Sequence, residues 1–124
     1  MGLDIYFYDD VGENAREVEI ESHLKITHNL NTVVSELGLL AKQPYYEIIW
    51  RPDELLGLKN GEVPVALLYT ILPTLIRDLV KFEDRLTDYL PFNGCGTFDS
   101  LISFLCDYLK ECSLHQDKYI YCCR

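Results

Sequence analysis

The hydrophobic residues of this 124-residue chain change their spacing twice, and these changes limit what it can fold into. Near the N-terminus, Leu3, Ile5 and Phe7 alternate with polar or tyrosine residues, as in a strand with one buried face. Turn-forming residues separate them from a second alternating segment, residues 17–21, which predicts a hairpin. The C-terminal residues 118–123 (KYIYCC) alternate again, and we expect this strand to pair with the hairpin in a three-stranded antiparallel sheet.

The middle of the chain has apolar residues at helical spacing instead. This spacing predicts three long helices, at about residues 29–42, 64–85 and 98–113. Pro73 lies inside the second helix and removes one backbone hydrogen bond, so we expect a kink there or two helices in tandem. Pro52 and Gly57 bound a shorter helical turn, and Thr97 is the expected N-cap of the last helix. The predicted fold class is α+β: a small antiparallel sheet, formed by the N-terminal hairpin and the C-terminal strand, packs against three or four helices.

The charge of the chain limits its partners. Eleven Lys and Arg residues against twenty Asp and Glu residues give a net charge of −9, which repels nucleic acids and anionic membranes. No apolar run approaches the roughly 20 residues of a membrane helix. The odd number of cysteines and an N-terminus without signal-peptide features favour a reducing compartment. We therefore expect one cytoplasmic domain, residues 1–124, that can approach a basic protein partner rather than nucleic acid or membrane.

Residues 25–31 (KITHNLN) join the predicted sheet to the first helix with three polar residues in a row: Thr27, His28 and Asn29. Asn29 is expected to cap the helix. His28 would meet the positive end of the helix dipole, which favours a neutral imidazole that can donate and accept hydrogen bonds. Backbone N–H groups of the same turn add a tendency to bind anions. This junction is the first candidate ligand site.

A second junction, residues 93–96 (NGCG), precedes the last predicted helix. Its glycines permit positive φ angles or the close approach of a ligand to the backbone, although an ordinary turn has the same composition. If the two helix N-termini converge, Arg51 would meet an anion and Trp50 would form an aromatic wall or a core anchor. The predicted ligand-binding residues are therefore Thr27, His28, Asn29, Trp50, Arg51, Asn93, Gly94 and Gly96.

Metal binding and catalysis have weaker sequence signals. Four possible zinc ligands are near one another in sequence: Cys112, His115, Cys122 and Cys123. Adjacent strand residues such as Cys122 and Cys123 point to opposite faces, so we predict no metal site and no cofactor. Cys106 and Cys112 are expected to be buried in the last helix. No catalytic motif is present, and only His28 beside a carboxylate of the hairpin would suit acid–base chemistry, so we predict no catalytic residue.

Four stretches, KITHNLN, WRPDE, PFNGCGTFD and a terminal strand ending in Arg124, resemble a family of small uncharacterised proteins encoded by bacteriophages and prophages. Members of that family typically have an asparagine-isoleucine-threonine-histidine/tyrosine-asparagine stretch and a later asparagine-glycine-tryptophan-glycine stretch. The resemblance extends from about residue 3 to residue 124. Lys25 replaces the usual first asparagine, and Cys95 replaces the usual tryptophan. The resemblance implies a phage protein that acts inside a bacterial host cell.

Two functions follow from these expectations. In the first, the protein binds an anionic or nucleotide-like host metabolite or defence signal at the helix N-termini and sequesters it, as a counter-defence. In the second, it is an acidic interaction protein that blocks a host enzyme or a host nucleic-acid-binding protein through its surface. The first function requires donor groups that converge on a cavity, whereas the second requires a continuous acidic or apolar surface patch.

Overall fold

The alternating segments at the two ends of the chain form one antiparallel sheet. The structure, a computed structural model, describes residues 2–91 and 96–124. These residues form five strands: β1 (Gly2–Tyr8), β2 (Glu17–Val18), β3 (Lys25–Thr27), β4 (Val63–Pro64) and β5 (Tyr119–Cys123). The predicted α+β class is confirmed. β3 ends at Thr27, where the sequence predicts that a strand meets the first helix. β4 was not predicted, because two residues are too few to show alternation.

Helices make up most of the remaining described chain. They are α1 (Asn31–Ala41), α2 (Tyr45–Trp50), α3 (Pro52–Leu56), α4 (Val65–Lys81), α5 (Glu83–Leu86) and α6 (Phe98–Leu114). A short 3-10 helix, His28–Leu30, precedes α1. Gly57 ends α3 with a φ of 68°, as its position after a helical turn predicted. α2 was not predicted, because its six residues span fewer than two helical turns.

α4 runs through Pro73 as one continuous helix. Leu72, Leu75 and Leu79 of α4 are fully buried, and this packing stabilises the helix across the missing hydrogen bond. The expected division into tandem helices instead falls at Phe82, between α4 and α5. Hydrophobic packing therefore decides where this long helical segment breaks.

β5 is an interior strand of the sheet. The strand order is β2-β1-β5-β4, and β3 pairs separately with β1. β5 pairs with β1 over five residues, from Asp4 opposite Cys123 to Tyr8 opposite Tyr119, and Val63 of β4 lies opposite Ile120 on its other side. The C-terminal segment thus joins the start of the chain to its middle.

The two faces of the sheet differ in composition. Leu3, Ile5 and Phe7 of β1 and Ile120 and Cys122 of β5 are buried in the core that the helices cover. The alternate residues of the same two strands point to the opposite face and are exposed or half-buried: Asp4, Tyr6, Tyr8, Tyr119, Tyr121 and Cys123. The sheet therefore has one packed face and one open face.

Replacing Ile120 by alanine should test the interior position of β5. We expect Ile120→Ala to lower the free energy of unfolding by about 2–5 kcal/mol, because it leaves a cavity in a fully buried position. Leu39→Ala is the matched control, because Leu39 is 73% exposed and its loss should change stability by less than about 0.5 kcal/mol. Urea denaturation measures both values, and equal effects of the two changes would contradict the assignment of β5.

Candidate functional site

Thr27, rather than Asn29, caps the first helical segment. The Thr27 backbone is extended, and its Oγ1 accepts a hydrogen bond from the backbone N–H of Asn29 at 3.3 Å. Asn29 is exposed, and α1 itself begins after Leu30 without a side-chain cap. The expected cap at Asn29 is wrong because the chain first forms a 3-10 turn, which moves the capping position to Thr27.

His28 and Trp50 are joined by a hydrogen bond. The Trp50 indole N–H donates to His28 Nδ1 at 2.9 Å, and Tyr46 stacks on the indole with ring centroids 5.4 Å apart. Trp50 is only 1% exposed, so it is a core anchor. Because Nδ1 accepts this bond, the neutral imidazole carries its proton on Nε2. Within residues 2–91 and 96–124, no acceptor bonds to Nε2, which leaves one donor of half-buried His28 for another molecule.

Both arginines near Trp50 are paired with carboxylates. Arg51 Nη1 donates to Glu54 Oε2 at 2.7 Å, and the Arg51 side chain is 44% exposed. Arg124 forms a fork with Asp53, with N–O distances of 2.8 and 3.3 Å, and also donates to the Trp50 carbonyl oxygen at 3.2 Å. The charge around Trp50 is therefore balanced locally, and an anion would compete with Glu54 for Arg51.

The segment before α6 packs directly against the first junction. Gly96 has a φ of 148°, and a Cβ atom there would lie 2.9 Å from Leu30 Cγ and 3.0 Å from Thr27 Cγ2. Only glycine permits this approach with the observed backbone angle. The two predicted junctions therefore meet at Gly96, whereas the predicted site residues Asn93 and Gly94 lie outside the described residues.

Thr97 caps α6, as predicted. Its Oγ1 accepts a hydrogen bond from the Ser100 backbone N–H at 3.0 Å, and Ser100 Oγ accepts one from the Thr97 N–H at 2.9 Å. Asp99 adds a negative charge to the first turn. This reciprocal cap occupies the backbone N–H groups of Thr97 and Ser100, which were expected to be free to bind an anion. The α6 N-terminus is therefore poorly suited to bind an anion.

A second candidate site lies on the open face of the sheet. Tyr6 lies opposite Tyr121, and Tyr8 lies opposite Tyr119, in the register of β1 and β5. The rings of Tyr8 and Tyr121 meet edge to face, with centroids 5.9 Å apart and an interplanar angle of 76°. We call these four residues the tyrosine face. Alternation predicts the outward positions of these tyrosines but not their cluster, because the cross-strand pairing depends on a register that local sequence does not fix.

Carboxylates surround the tyrosine face. Asp4 precedes Tyr6 on the same side of β1, and Glu17 lies opposite Tyr8 on β2. The Asp4 carboxylate is the main cause of a raised pKa of the Tyr6 hydroxyl, because its negative charge disfavours the phenolate. Lys25 of β3 lies opposite Asp4, and His23 Nε2 is 3.3 Å from Asp4 Oδ1, so basic residues adjoin this end of the face.

The cysteines differ from one another in exposure. Cys112 is buried, as expected, but Cys106 is exposed, because it lies on the side of α6 that turns away from the core. Burial raises the pKa of the Cys122 thiol to about 12, which keeps it protonated at neutral pH. Within the described part of the chain, no three His, Cys, Asp or Glu side chains form a group that could hold a metal ion.

No protein-family model, curated protein or solved structure matches this chain. None of the described helices is long and apolar enough to cross a membrane. Five clefts within residues 2–91 and 96–124 are lined by residues other than His28, Trp50, Arg51 and Gly96. The candidate function therefore rests on the contacts of the two sites, the junction at His28 and the tyrosine face.

Changing His28 should test the bond at the junction. We expect His28→Ala to lower the free energy of unfolding by about 1–3 kcal/mol, because it leaves the buried Trp50 N–H without an acceptor. The double variant His28→Ala with Trp50→Phe removes donor and acceptor together, so its loss should be smaller than the sum of the two single losses. Urea denaturation measures this coupling, and strictly additive losses would show that the two side chains do not interact.

The Arg124–Asp53 pair should make stability depend on pH. Burial would raise the pKa of the Asp53 carboxyl, but hydrogen bonds and attraction from Arg124 outweigh it and hold the pKa below its ordinary value. Because the pKa of Asp53 is lower in the folded protein than in the unfolded chain, the full contribution of the pair to stability is present above about pH 4. This contribution is lost as the pH falls through the pKa of Asp53 in the folded protein. Arg124→Gln should therefore cost about 1.5–3 kcal/mol at pH 7.

Urea denaturation at pH 7, 5 and 3 measures this effect. The difference between the wild type and Arg124→Gln should be similar at pH 7 and pH 5 and smaller at pH 3, because the Asp53 carboxylate begins to protonate there. Glu54→Gln is a suitable control, because it changes an exposed carboxylate of the same helix without touching Asp53. A difference that does not depend on pH would contradict the pairing.

Proposed function

We propose that this chain is an acidic interaction protein that binds a basic host protein through the tyrosine face. The observation that carries the proposal is the cross-strand cluster of Tyr6, Tyr8, Tyr119 and Tyr121 on a sheet face that the described helices leave open. Tyrosine is enriched in the buried centres of protein interfaces and among the residues that contribute most binding energy. The face thus has the composition of a binding surface.

The packing of the rings prepares the face for binding. Tyr8 and Tyr121 restrain each other in an edge-to-face contact, and both are held on interior strands of the sheet. Side chains that are already ordered lose less conformational entropy when a partner binds. The ring faces also attract the ammonium and guanidinium groups of Lys and Arg, by about 0.5–1 kcal/mol at exposed sites.

The charge of the molecule favours a basic partner. The net charge of −9 accelerates encounters with positively charged surfaces, and Asp4 and Glu17 extend that negative charge to the tyrosine face. Nucleic-acid-binding proteins have such basic surfaces, since they must neutralise phosphates. A host protein of this kind is the partner we propose, and occupation of its basic surface would block its access to nucleic acid.

The His28 junction supports a second candidate function, the binding of a small anionic or nucleotide-like molecule. The observation that favours it is the Trp50–His28 bond, which leaves the His28 Nε2–H as a donor between Thr27 and Leu30, the two residues that Gly96 approaches. Arg51, exposed at the C-terminus of α2, would supply the charge. This candidate stands second because both neighbouring arginines and the α6 N-terminus already have partners.

Mass spectrometry of small molecules released from the chain, after purification from host cells, separates the two candidates. An anion recovered with the wild type but not with Arg51→Ala would favour the small-molecule function. Arg51 suits this comparison because its side chain is exposed and its loss should change stability little. Recovery of no such molecule would leave the interaction function as the better explanation of the fold.

Removing tyrosines should weaken the binding of a defined basic probe. We expect Tyr6→Ser with Tyr119→Ser to reduce the affinity for a nona-arginine peptide by about 5- to 30-fold, because two cation–π contacts of about 0.5–1 kcal/mol each are lost. Isothermal titration calorimetry at 150 mM salt, near physiological ionic strength, measures the affinity.

Tyr69→Ser with Tyr89→Ser is the matched control for this experiment. Tyr69 and Tyr89 are 37% and 40% exposed, lie on α4 and on the 3-10 helix Thr87–Tyr89, and leave the net charge unchanged when replaced. The control should bind the peptide like the wild type. Equal affinities of both double variants would show that binding reflects net charge alone and would overturn the proposed function.

A further inference from the structure

A cleft of about 320 Å³ adjoins one end of the tyrosine face. Its lining includes Tyr8 and Tyr121, whose rings meet edge to face, and the turn at residues 59–62. Asp10 and Glu62 contribute carboxylates to its lining. The cleft therefore combines a pair of aromatic rings with two negative charges, and it lies at the edge of the surface that binds a basic partner in our proposed function.

The walls of this cleft are fixed by hydrogen bonds. The Asn60 side chain forms two hydrogen bonds with the backbone of Cys122. Its amide N–H donates to the Cys122 carbonyl oxygen at 2.8 Å, and its Oδ1 accepts from the Cys122 N–H at 2.9 Å. Gly61 donates its N–H to the Ile120 carbonyl oxygen at 3.1 Å, and a Cβ atom at Gly61 would lie 3.6 Å from Cδ2 of the Tyr121 ring. The turn is thus attached to β5, and the cleft exists before any partner binds.

Each carboxylate uses one oxygen to hold its own turn. Asp10 Oδ1 accepts from the Val11 N–H at 2.8 Å, and Glu62 Oε1 accepts from the Lys59 N–H at 3.1 Å. Within the described residues, the other oxygen of each group has no hydrogen-bond donor. Lys59 also lines the cleft, but its ammonium group forms no ion pair with a described carboxylate. Two acceptor oxygens are therefore left for a bound cation.

We propose that this cleft receives one arginine side chain of the basic partner, as an anchor for the interaction described above. A guanidinium is planar and can stack on an aromatic ring while its N–H groups point in the plane toward carboxylate oxygens. An ammonium group is more strongly hydrated and lacks this planar fork. The pairing of rings with two carboxylates therefore favours arginine over lysine. The inference rests on the proposed function, but it concerns a different set of residues from Tyr6 and Tyr119.

The affinities for nona-arginine and nona-lysine peptides, measured by calorimetry, test the anchor. The wild type should bind nona-arginine about fivefold more tightly, a difference that corresponds to about 1 kcal/mol, the upper value for an exposed charged pair. Asp10→Asn with Glu62→Gln should abolish this preference. Both replacements keep the oxygen that holds the turn, so the fold should be retained, and a thermal melt checks this.

Two further variants make the outcomes distinct. Glu83→Gln with Asp88→Asn removes the same charge from α5 and the following 3-10 helix, and it should keep the preference for arginine. Tyr6→Ser with Tyr119→Ser should lower the affinity for both peptides and should also keep the preference for nona-arginine.

An equal affinity of the wild type for the two peptides would overturn the anchor. The anchor would also be overturned if Asp10→Asn with Glu62→Gln and the control Glu83→Gln with Asp88→Asn both lost the preference for arginine. Neither of these results would contradict the proposed binding of a basic partner to the tyrosine face. Failure of the wild type to bind either peptide would overturn the proposed function and the anchor together.

Discussion

The insertion of β5 between β1 and β4 is the interaction on which the rest of this structure depends. Its register with β1 sends Ile120 and Cys122 into the core and leaves Tyr119 and Tyr121 beside the tyrosines of β1. One set of backbone hydrogen bonds therefore builds both the packed face and the open face of the sheet. The same strand brings Arg124 to Asp53, which ties the end of the chain to α3. A shift of one residue would exchange the two faces.

The junction at His28 shows how polar residues can stabilise a fold. The Trp50 indole is buried, so its N–H requires an acceptor, and His28 supplies one. Thr27 caps the 3-10 turn, and Gly96 allows the segment before α6 to approach. Most of the polar groups that suggested a ligand site in the sequence thus have partners within the protein. The remaining donor, His28 Nε2, keeps the junction as the second functional candidate.

Sequence patterns located the long elements of this fold well. Alternation identified β1 and β5, and helical spacing identified α1, α4 and α6, because each of these elements is long enough to repeat its pattern. Short elements such as β3, β4 and α2 form only through tertiary contacts, so their sequences show no period. At Pro73 the sequence predicts a kink or two helices in tandem, but α4 continues through Pro73 and ends before Phe82, since core packing outweighs local preference there.

The candidate sites depended still more on contacts that are distant in sequence. His28 and Trp50 are 22 residues apart, and local sequence does not show that they bond. The outward positions of Tyr6, Tyr8, Tyr119 and Tyr121 can be read from alternation, but their assembly into one cluster depends on the pairing of the two ends of the chain. The carboxylates of the cleft, Asp10 and Glu62, likewise come together only because the turn at residues 59–62 is attached to β5.

The most direct test of the account is a nuclear magnetic resonance titration of the chain, with its nine tyrosines isotope-labelled, against nona-arginine peptide. If the peptide binds to the tyrosine face, the ring signals of its four residues should shift on addition of peptide, while those of buried Tyr45 and Tyr108 should stay constant. Tyr46 reports on the junction, because it stacks on Trp50. Shifts confined to Tyr46, or to the exposed helical residues Tyr69 and Tyr89, would contradict the assignment of the open sheet face as the binding surface.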